Sequence, residues 1–190
     1  MTQAPTATPG CVTHTRGWIG PAEADTLFTT LSRGIPWEQK PAAFGHPTPR
    51  LTAWFGAEAY TYSGIRNTGN PWLPGLDALR RRLEAETSAE YNSCLANLYR
   101  DGRDSVAWHA DDEPELGHNP TIASISLGGV RDFKLRHNQT RAVSNFALGH
   151  GDILLMQGES QSDYRHAVPK RARAEARINL TFRWFTGVAL

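Results

Sequence analysis

The sequence is poor in cysteine and contains no long apolar run. Only two of its 190 residues are cysteines, Cys11 and Cys94, which is too few for a disulfide scaffold and lacks zinc-site spacing. We therefore interpret both as incidental to function and predict a reducing, cytoplasmic location. No stretch approaches the roughly 18 apolar residues of a membrane span, and the first residues lack the features of an export signal. No membrane partner is expected.

The sequence also lacks a strong excess of charge of either sign. Twenty lysines and arginines face 19 acids, so the formal net charge of +1 neither favours nor excludes a polyanionic partner. Any nucleic-acid argument must depend on local clusters. For the arginines at 80–82 a solvated helix face is favoured over phosphate contacts. For residues 136–137 and 170–173 both interpretations stay open.

The length predicts one globular domain, which we place at residues 16–190 behind a flexible tail at 1–15, and we expect a monomer. Two helices are predicted. The first opens at Pro21 and stops near Gly34, because apolar residues recur at i, i+3, i+4 and i+7. The second begins near Pro74. The apolar positions are Ala24, Leu27, Phe28 and Leu31 in the first helix and Leu76, Leu79 and Leu83 in the second.

The remaining sequence favours β structure. Residues 47–64 are rich in Pro, Gly and aromatics and read as short strands or a flap. After residue 92, short apolar segments alternate with polar breaks, which indicates a sandwich or barrel. The predicted strands are residues 93–99, 122–127, 132–136, 142–148, 152–156, 166–168 and 177–185.

Three residues form a candidate metal site. Side chains two apart in a strand share a face, so His109 and Asp111 can reach one ion together. His166, further along the chain, is a candidate third ligand, and two histidines with one carboxylate form the facial triad of non-haem Fe(II). Taken alone, this spacing arises readily by chance, and a histidine is more often a surface or hydrogen-bonded residue.

The segment 177–184 strengthens the metal hypothesis. Its odd positions are polar and its even positions are large hydrophobes, so one face would pack on a core while Arg177, Asn179, Thr181 and Arg183 line a polar cavity. Buried arginines require anions, and a dicarboxylate co-substrate would supply them. The alternative is an edge strand whose polar face meets water. Asn97 and Tyr99 share a face in the same way and could bind a carboxylate.

In sequence order, these residues resemble the AlkB family of DNA and RNA dealkylating dioxygenases, and within it the human-type DNA-repair members. The resemblance rests on Asn-Leu-Tyr at 97–99, Asp-Gly at 101–102, His-Ala-Asp-Asp-Glu at 109–113, His166, and Arg-Ile-Asn-Leu-Thr-Phe-Arg at 177–183. It extends from about Pro21 to Phe185. It implies a mainly β fold with flanking helices: a double-stranded β-helix, or jelly roll, with an N-terminal helical extension and a nucleotide-recognition flap at about 40–70.

The resemblance also implies a role for each residue. His109, Asp111 and His166 would bind iron, Arg177 would pair with the far carboxylate of 2-oxoglutarate, and Arg183 would lie near its chelating end. Asn97, Tyr99, Asn179 and Thr181 would complete that pocket. Arg50, Tyr60, Tyr62 and Asp112 would hold the damaged base. Phe44 resembles an intercalating wedge, although residues 44–50 form a shorter segment than in duplex-specific relatives, and Phe44 could instead cover the core.

The implied reaction is oxidative dealkylation of bases in DNA, with Fe(II), 2-oxoglutarate and O₂. Expected lesions are N1-methyladenine and N3-methylcytosine, with etheno adducts as a further option; the two methyl lesions are cationic and suit the two tyrosines and Asp112. The alternatives are a related dioxygenase acting on RNA, protein, lipid or a small molecule, and a non-catalytic nucleic-acid-binding jelly roll. The sequence does not distinguish DNA from RNA or single from double strands.

Overall fold

Helices lie on one side of a β sandwich. The computed structural model describes residues 9–41, 47–56, 60–62, 65–67 and 69–186, with the backbone alone at 60–62 and 65–67. The elements of these residues are two helices, α1 (Pro21–Gly34) and α2 (Pro74–Thr87), and the strands β1 (Val12–Thr15), β2 (Leu51–Gly56), β3 (Tyr60–Tyr62), β4 (Ile65–Asn67), β5 (Ser93–Tyr99), β6 (Val106–His109), β7 (Ile122–Gly128), β8 (Arg131–His137), β9 (Val143–Leu148), β10 (Ile153–Met156), β11 (Tyr164–Val168) and β12 (Arg177–Arg183).

Both helices lie where the apolar period predicted them. Each begins with a proline in its first turn, where the missing amide proton costs nothing. Their apolar stripes pack on the six-stranded sheet described below, and this helix-side core includes Leu31, Leu79 and Leu83. The arginines at 80–82 form ion pairs with acids of α2 and with Glu23, as expected of a solvated face. Among the described helices, none combines the length and apolarity needed to cross a membrane.

The sandwich consists of two antiparallel sheets. One has six strands in the order β1-β10-β7-β12-β5-β2, and the other has four in the order β6-β11-β8-β9. A second core lies between them and includes Tyr99, Phe133, Phe146 and Leu154. The predicted jelly roll with flanking helices is confirmed.

Strand β12 lies at the centre of the six-stranded sheet, paired with β5 on one side and β7 on the other. Its even residues, Ile178, Leu180 and Phe182, belong to the helix-side core. Its four odd, polar residues are all buried as well. The edge-strand alternative is therefore wrong, because no part of this strand faces water.

Several boundaries differ from the prediction, and two of these differences have a clear physical reason. Residues 12–15 were assigned to a flexible tail, but they form β1, which pairs with β10 and buries Val12 in the inter-sheet core. Four residues are too short a segment to display a clear period. The last strand ends at Arg183 and not at residue 185, because the Phe185 amide donates to the Asn92 side chain, at 2.9 Å, and not to a neighbouring strand.

Candidate metal centre

Two histidines face each other across one strand pair. His109 ends β6 and His166 lies within β11, and the two are direct partners in the antiparallel register. Their ring centroids are 4.1 Å apart. Together with Asp111 they offer ligand atoms that all lie within 4.8 Å of one another. The structure thus brings the three predicted ligands together.

Asp111 reaches this group by a different route from the one expected. The prediction placed it in the same strand as His109, but β6 ends at His109 and residues 110–113 belong to no strand. Its backbone amide donates to Oε1 of Gln161 at 2.9 Å. Its carboxylate Oδ2 accepts from Arg183 Nε at 3.0 Å and from Nη2 at 2.6 Å. Residue 111 is therefore held by side-chain contacts and not by the hydrogen bonds of a strand pair.

The electrostatic surroundings keep Asp111 and His166 in the form that binds a metal. Burial alone would raise the pKa of Asp111, but the positive charge of Arg183 and its hydrogen bonds outweigh burial and hold that pKa far below its ordinary value. Burial and the neighbouring His109 lower the pKa of His166 to about 3, so its ring is neutral near pH 7. A carboxylate and a neutral imidazole are the forms that ligate a metal ion.

The orientation of each ring is set by a neighbour. Nδ1 of His109 lies 2.8 Å from the carbonyl oxygen of Ala107, which leaves Nε2 facing Asp111 at 3.9 Å. Phe133 stacks on His166 with centroids 5.2 Å apart. The first contact fixes the tautomer and direction of the His109 ring, and the second restricts the direction of the His166 ring.

Glu113 is a further acid beside the triad. Burial, followed by the negative charge of Asp111, raises the pKa of Glu113 to about 7. Sequence reasoning assigned it no role.

One cavity extends from the triad to Arg177, and polar residues of β5, β7 and β12 line it between these two ends. The Arg177 guanidinium is 1% exposed, and Nη2 donates to Ser126 Oγ at 2.8 Å. Its Nε and Nη1 are buried without an acceptor in hydrogen-bond geometry among the described residues. A buried cation with unused donors, at the far end of a cavity that begins at a facial triad, fits a dicarboxylate that also chelates the metal.

The other predicted pocket residues form one polar network. Asn179 donates to Ser124 Oγ at 2.8 Å, and Thr181 donates to Asn179 Oδ1 at 3.0 Å. Asn97 accepts from Arg50 Nε at 2.7 Å, which joins a predicted base-binding residue to the co-substrate pocket. Tyr99 contacts two arginines, with the guanidinium carbons of Arg131 and Arg177 each 5.2 Å from its ring centroid.

Sequence reasoning missed several supporting residues. Ser124 and Ser126 alternate with apolar residues in β7, and this polar alternation inside a buried strand was a usable signal. Arg131 is fully buried and donates to three carbonyl groups, those of Asp101, Asp104 and Pro169. No pattern in the sequence singles out Arg131 or Gln161.

The predicted base-binding residues are described unequally. Asp112 is exposed beside the triad, and Arg50 lines the cavity. The backbones of Tyr60 and Tyr62 lie in the β3–β4 hairpin, where they pair with Asn67 and Ile65. Phe44 lies outside the described residues.

Comparison with known proteins identifies similar sequences over most of the chain. The family described as 2OG-Fe(II) oxygenase superfamily matches residues 11–183. The Mus musculus protein named alpha-ketoglutarate-dependent dioxygenase alkB homolog 3 is 42% identical over 181 residues, which cover 88% of this chain and 63% of that protein. The chain thus spans less than two thirds of that relative. DNA oxidative demethylase ALKBH2 of Mus musculus is 38% identical over 182 residues, covering 87% of this chain and 76% of that protein.

Solved structures resemble the fold. "The structure of OsALKBH1" superposes with a TM-score of 0.67 at 18% identity, covering 94% of this chain and all of that one. A prolyl hydroxylase from Trichoplax adhaerens, in complex with a hypoxia inducible factor peptide, has a TM-score of 0.63 at 13% identity and covers 93% of this chain and 84% of that one. At these identities the likeness concerns the fold alone.

Proposed function

This chain belongs to the 2OG-Fe(II) oxygenase superfamily and to its AlkB family, and from that premise we propose that it removes alkyl groups from damaged bases in DNA by oxidation. One observation carries the oxygenase reaction: a single cavity contains the His109, Asp111 and His166 triad and the donors of Arg177 that have no acceptor in the described part of the chain. The nucleic-acid substrate is supported by the relative named DNA oxidative demethylase ALKBH2.

Each group in the cavity has a defined task in this proposal. Bound Fe(II) and 2-oxoglutarate would supply O₂ activation coupled to decarboxylation, so that an N-methyl group is hydroxylated and leaves as formaldehyde. His109, Asp111 and His166 would hold the iron on one side and leave its other positions open. Arg177 would bind the far carboxylate and so fix the orientation of the oxo acid.

The entrance favours a cationic base. Asp112 is exposed directly beside the iron ligand Asp111, and its carboxylate would attract the positive charge of N1-methyladenine or N3-methylcytosine. Arg50 is held at the cavity by Asn97 and would stay available to the base or its phosphate. The resemblance to the AlkB family adds Tyr60 and Tyr62, whose aromatic rings would attract a cationic base.

The charge distribution also supports a nucleic-acid partner. The outer side of the four-stranded sheet, here termed the basic face, carries Trp108, Lys134, Arg136 and Arg165, and also Asp132. Arg136 and Arg165 are direct cross-strand partners, and Arg136 stacks over Trp108 at 4.2 Å. Within the described part of the chain, none of the three cations on this face has a carboxylate partner within 4.0 Å. Phosphates would relieve the repulsion between them.

Substituting alanine for Arg136 or Arg165 should therefore weaken oligonucleotide binding to a similar extent for every base sequence. Each loss of a phosphate contact should reduce the slope of log Kd against the logarithm of the salt concentration by about one. Arg103→Ala is the matched control, because Arg103 is exposed and already paired with Asp101. An unchanged salt slope in both variants would remove this face from the binding surface.

The function itself is tested by incubating the protein with Fe(II), 2-oxoglutarate and an oligonucleotide that carries N1-methyladenine or N3-methylcytosine. Mass spectrometry should detect the restored base together with succinate, and His109→Ala should abolish both. Succinate production with a persistent lesion would point to another substrate. Repair undiminished in His109→Ala would refute the metal assignment. Matched RNA, single-stranded and duplex substrates would rank the strand types.

A further inference from the structure

The backbone of Asp111 lacks the support that its two fellow ligands have. His109 and His166 lie in strands that pair with each other, whereas Asp111 follows the end of β6. Its amide proton is satisfied by the side chain of Gln161, from a distant segment. Since a buried amide without an acceptor is costly, this contact determines where the backbone at residue 111 can lie.

The Gln161 side chain is itself held in one orientation. It is 4% exposed, and Nε2 donates to Ser160 Oγ at 3.1 Å and lies 3.6 Å from Met156 Sδ. Turning the amide over would place its NH₂ group against the Asp111 N–H and its oxygen against the Met156 sulfur. The side-chain oxygen therefore points at Asp111.

The position of Gln161 in the chain joins two ligand-bearing segments. It lies between the short 3₁₀ turn Gly158–Ser160 and β11, the strand that carries His166. Asp111 is thus held twice: its amide by the segment that leads to His166, and its carboxylate by Arg183 of β12. A shift of Gln161 would move Asp111 relative to both imidazoles.

We propose that Gln161 is a positioning residue of the metal centre, which fixes the backbone of Asp111 so that its carboxylate and the two imidazoles converge on one ion. The inference depends on the metal site and not on the substrate. Loss of a supporting contact of this kind typically lowers metal affinity about 10- to 100-fold.

The test is Gln161→Met, which keeps the length of the side chain and removes its strong acceptor and donor. Metal-free protein is titrated with Co(II) and followed by the visible absorption of the ion. The Co(II) Kd should rise by about tenfold or more, and the spectrum should change shape because the carboxylate is displaced. At saturating Co(II), the Kd for 2-oxoglutarate should change less, by about threefold at most, since Gln161 does not line that part of the cavity.

Two controls separate positioning from packing. Gln157→Met makes the same change at an exposed glutamine four residues earlier, and Ser160→Ala removes the partner of Nε2 while leaving the contact with Asp111. Gln157→Met should bind Co(II) like the wild type, and Ser160→Ala should bind it more tightly than Gln161→Met because the contact with the Asp111 amide remains. A Co(II) Kd for Gln161→Met within threefold of the wild type, in a protein that still unfolds cooperatively, would overturn the proposal.

A second variant keeps the test decisive if Gln161→Met fails to fold. Gln161→Glu retains an oxygen that can accept from the Asp111 amide, so it should recover most of the Co(II) affinity. If Gln161→Glu folds and nevertheless binds Co(II) at least tenfold more weakly than the wild type, the hydrogen bond to Asp111 is not what holds the site together. Neither result depends on repair of a nucleic acid.

Discussion

The two arginines of β12 have different partners although both side chains are buried. Arg183 forms an ion pair with the candidate ligand Asp111, while Arg177, six residues earlier on the same face, has two nitrogens without an acceptor among the residues that the structure describes. Burial lowers the pKa of Arg177, because it is unfavourable to hold the charged guanidinium away from water in the cavity. Arg183 is therefore engaged by Asp111, while Arg177 keeps donors that could bind an anion.

Replacing Arg177 with methionine should weaken 2-oxoglutarate binding without releasing the metal. Hydrogen bonds to charged groups contribute about 1.5–3 kcal/mol, so the Kd for 2-oxoglutarate should rise roughly 10- to 100-fold. The Co(II) Kd should stay close to that of the wild type. Calorimetric titration of the Co(II)-loaded protein measures the first effect, with Arg171→Met, at an exposed position, as the control. An unchanged Kd would assign Arg177 a structural role.

Among single residues, the sequence predicted those that belong to a polar–apolar alternation or to a recognisable motif. The triad and the polar face of 177–183 are of this kind, and the structure places them in one cavity. Gln161 and Arg131 act through contacts between distant segments, which no local pattern encodes. The position of Asp111 beyond the strand end depends on Gln161 and could not be predicted for the same reason.

Among the elements, the junction between β7 and β12 determines where Arg177 lies. Gly128 ends β7 opposite Arg177, with a φ of +87°. A Cβ atom there would lie 2.5 Å from the carbonyl oxygen of Ala176 and 2.6 Å from the Phe28 ring. Only glycine allows α1, β7 and the start of β12 to approach this closely.

Gly128→Ala should therefore destabilise the protein and disturb the co-substrate pocket together. Positive φ and overpacking together suggest a loss of about 2–4 kcal/mol in the free energy of unfolding, measured in urea. The 2-oxoglutarate Kd should rise because Arg177 follows Ala176 directly. Gly34→Ala, with no atom within 4 Å of the added Cβ, should change stability by less than about 1 kcal/mol. A stable Gly128→Ala protein would show that this junction can relax.

The turn before β10 ties β1 and its following loop to the sandwich. The buried Asp152 carboxylate accepts from the amides of Gly17 and Gly149 and lies 2.9 Å from His14 Nε2. Burial raises the pKa of Asp152, but these contacts outweigh it and the pKa is lowered. The stabilisation is thus complete above the unfolded-state pKa of about 4 and is lost as the pH falls through the lower folded-state pKa.

Asp152→Asn should cost about 1–3 kcal/mol of unfolding free energy at pH 7, and the difference from the wild type should shrink as the pH approaches 3. Urea unfolding at pH 7, 5, 4 and 3 measures it. Asp163→Asn, at an exposed acid, should follow the wild type at every pH. A difference that persists undiminished at low pH would indicate that packing, and not charge, is responsible.

The sequence predicted the elements with a sustained period well and the short ones poorly. Both helices and the long strands lie close to the expected limits. β1 was assigned to a tail because its pairing with β10 joins segments far apart in the chain. The flap near 40–70 is described only in part, and the monomeric state and cytoplasmic location stay predictions.

For the whole molecule, metal binding should raise the free energy of unfolding. An ion that binds only the folded state at 100 times its Kd adds about 2.7 kcal/mol, which raises Tm by roughly 5–10 °C at this chain length. Calorimetry or fluorescence melting with Co(II), and with EDTA to reverse the shift, measures it. His109→Ala and Asp111→Ala should show no rise. A rise of the same size in both variants would mean that the ion binds elsewhere.

The central place of β12 also sets the order of events during synthesis. Its neighbours β5 and β7 leave the ribosome well before it, and until residue 183 emerges the edges of these two strands that face β12 have unpaired backbone N–H and C=O groups. The nascent chain must remain open over this interval and would be a substrate for chaperones. Because Arg183 arrives with that strand, the complete metal centre can assemble only after the sheet has closed.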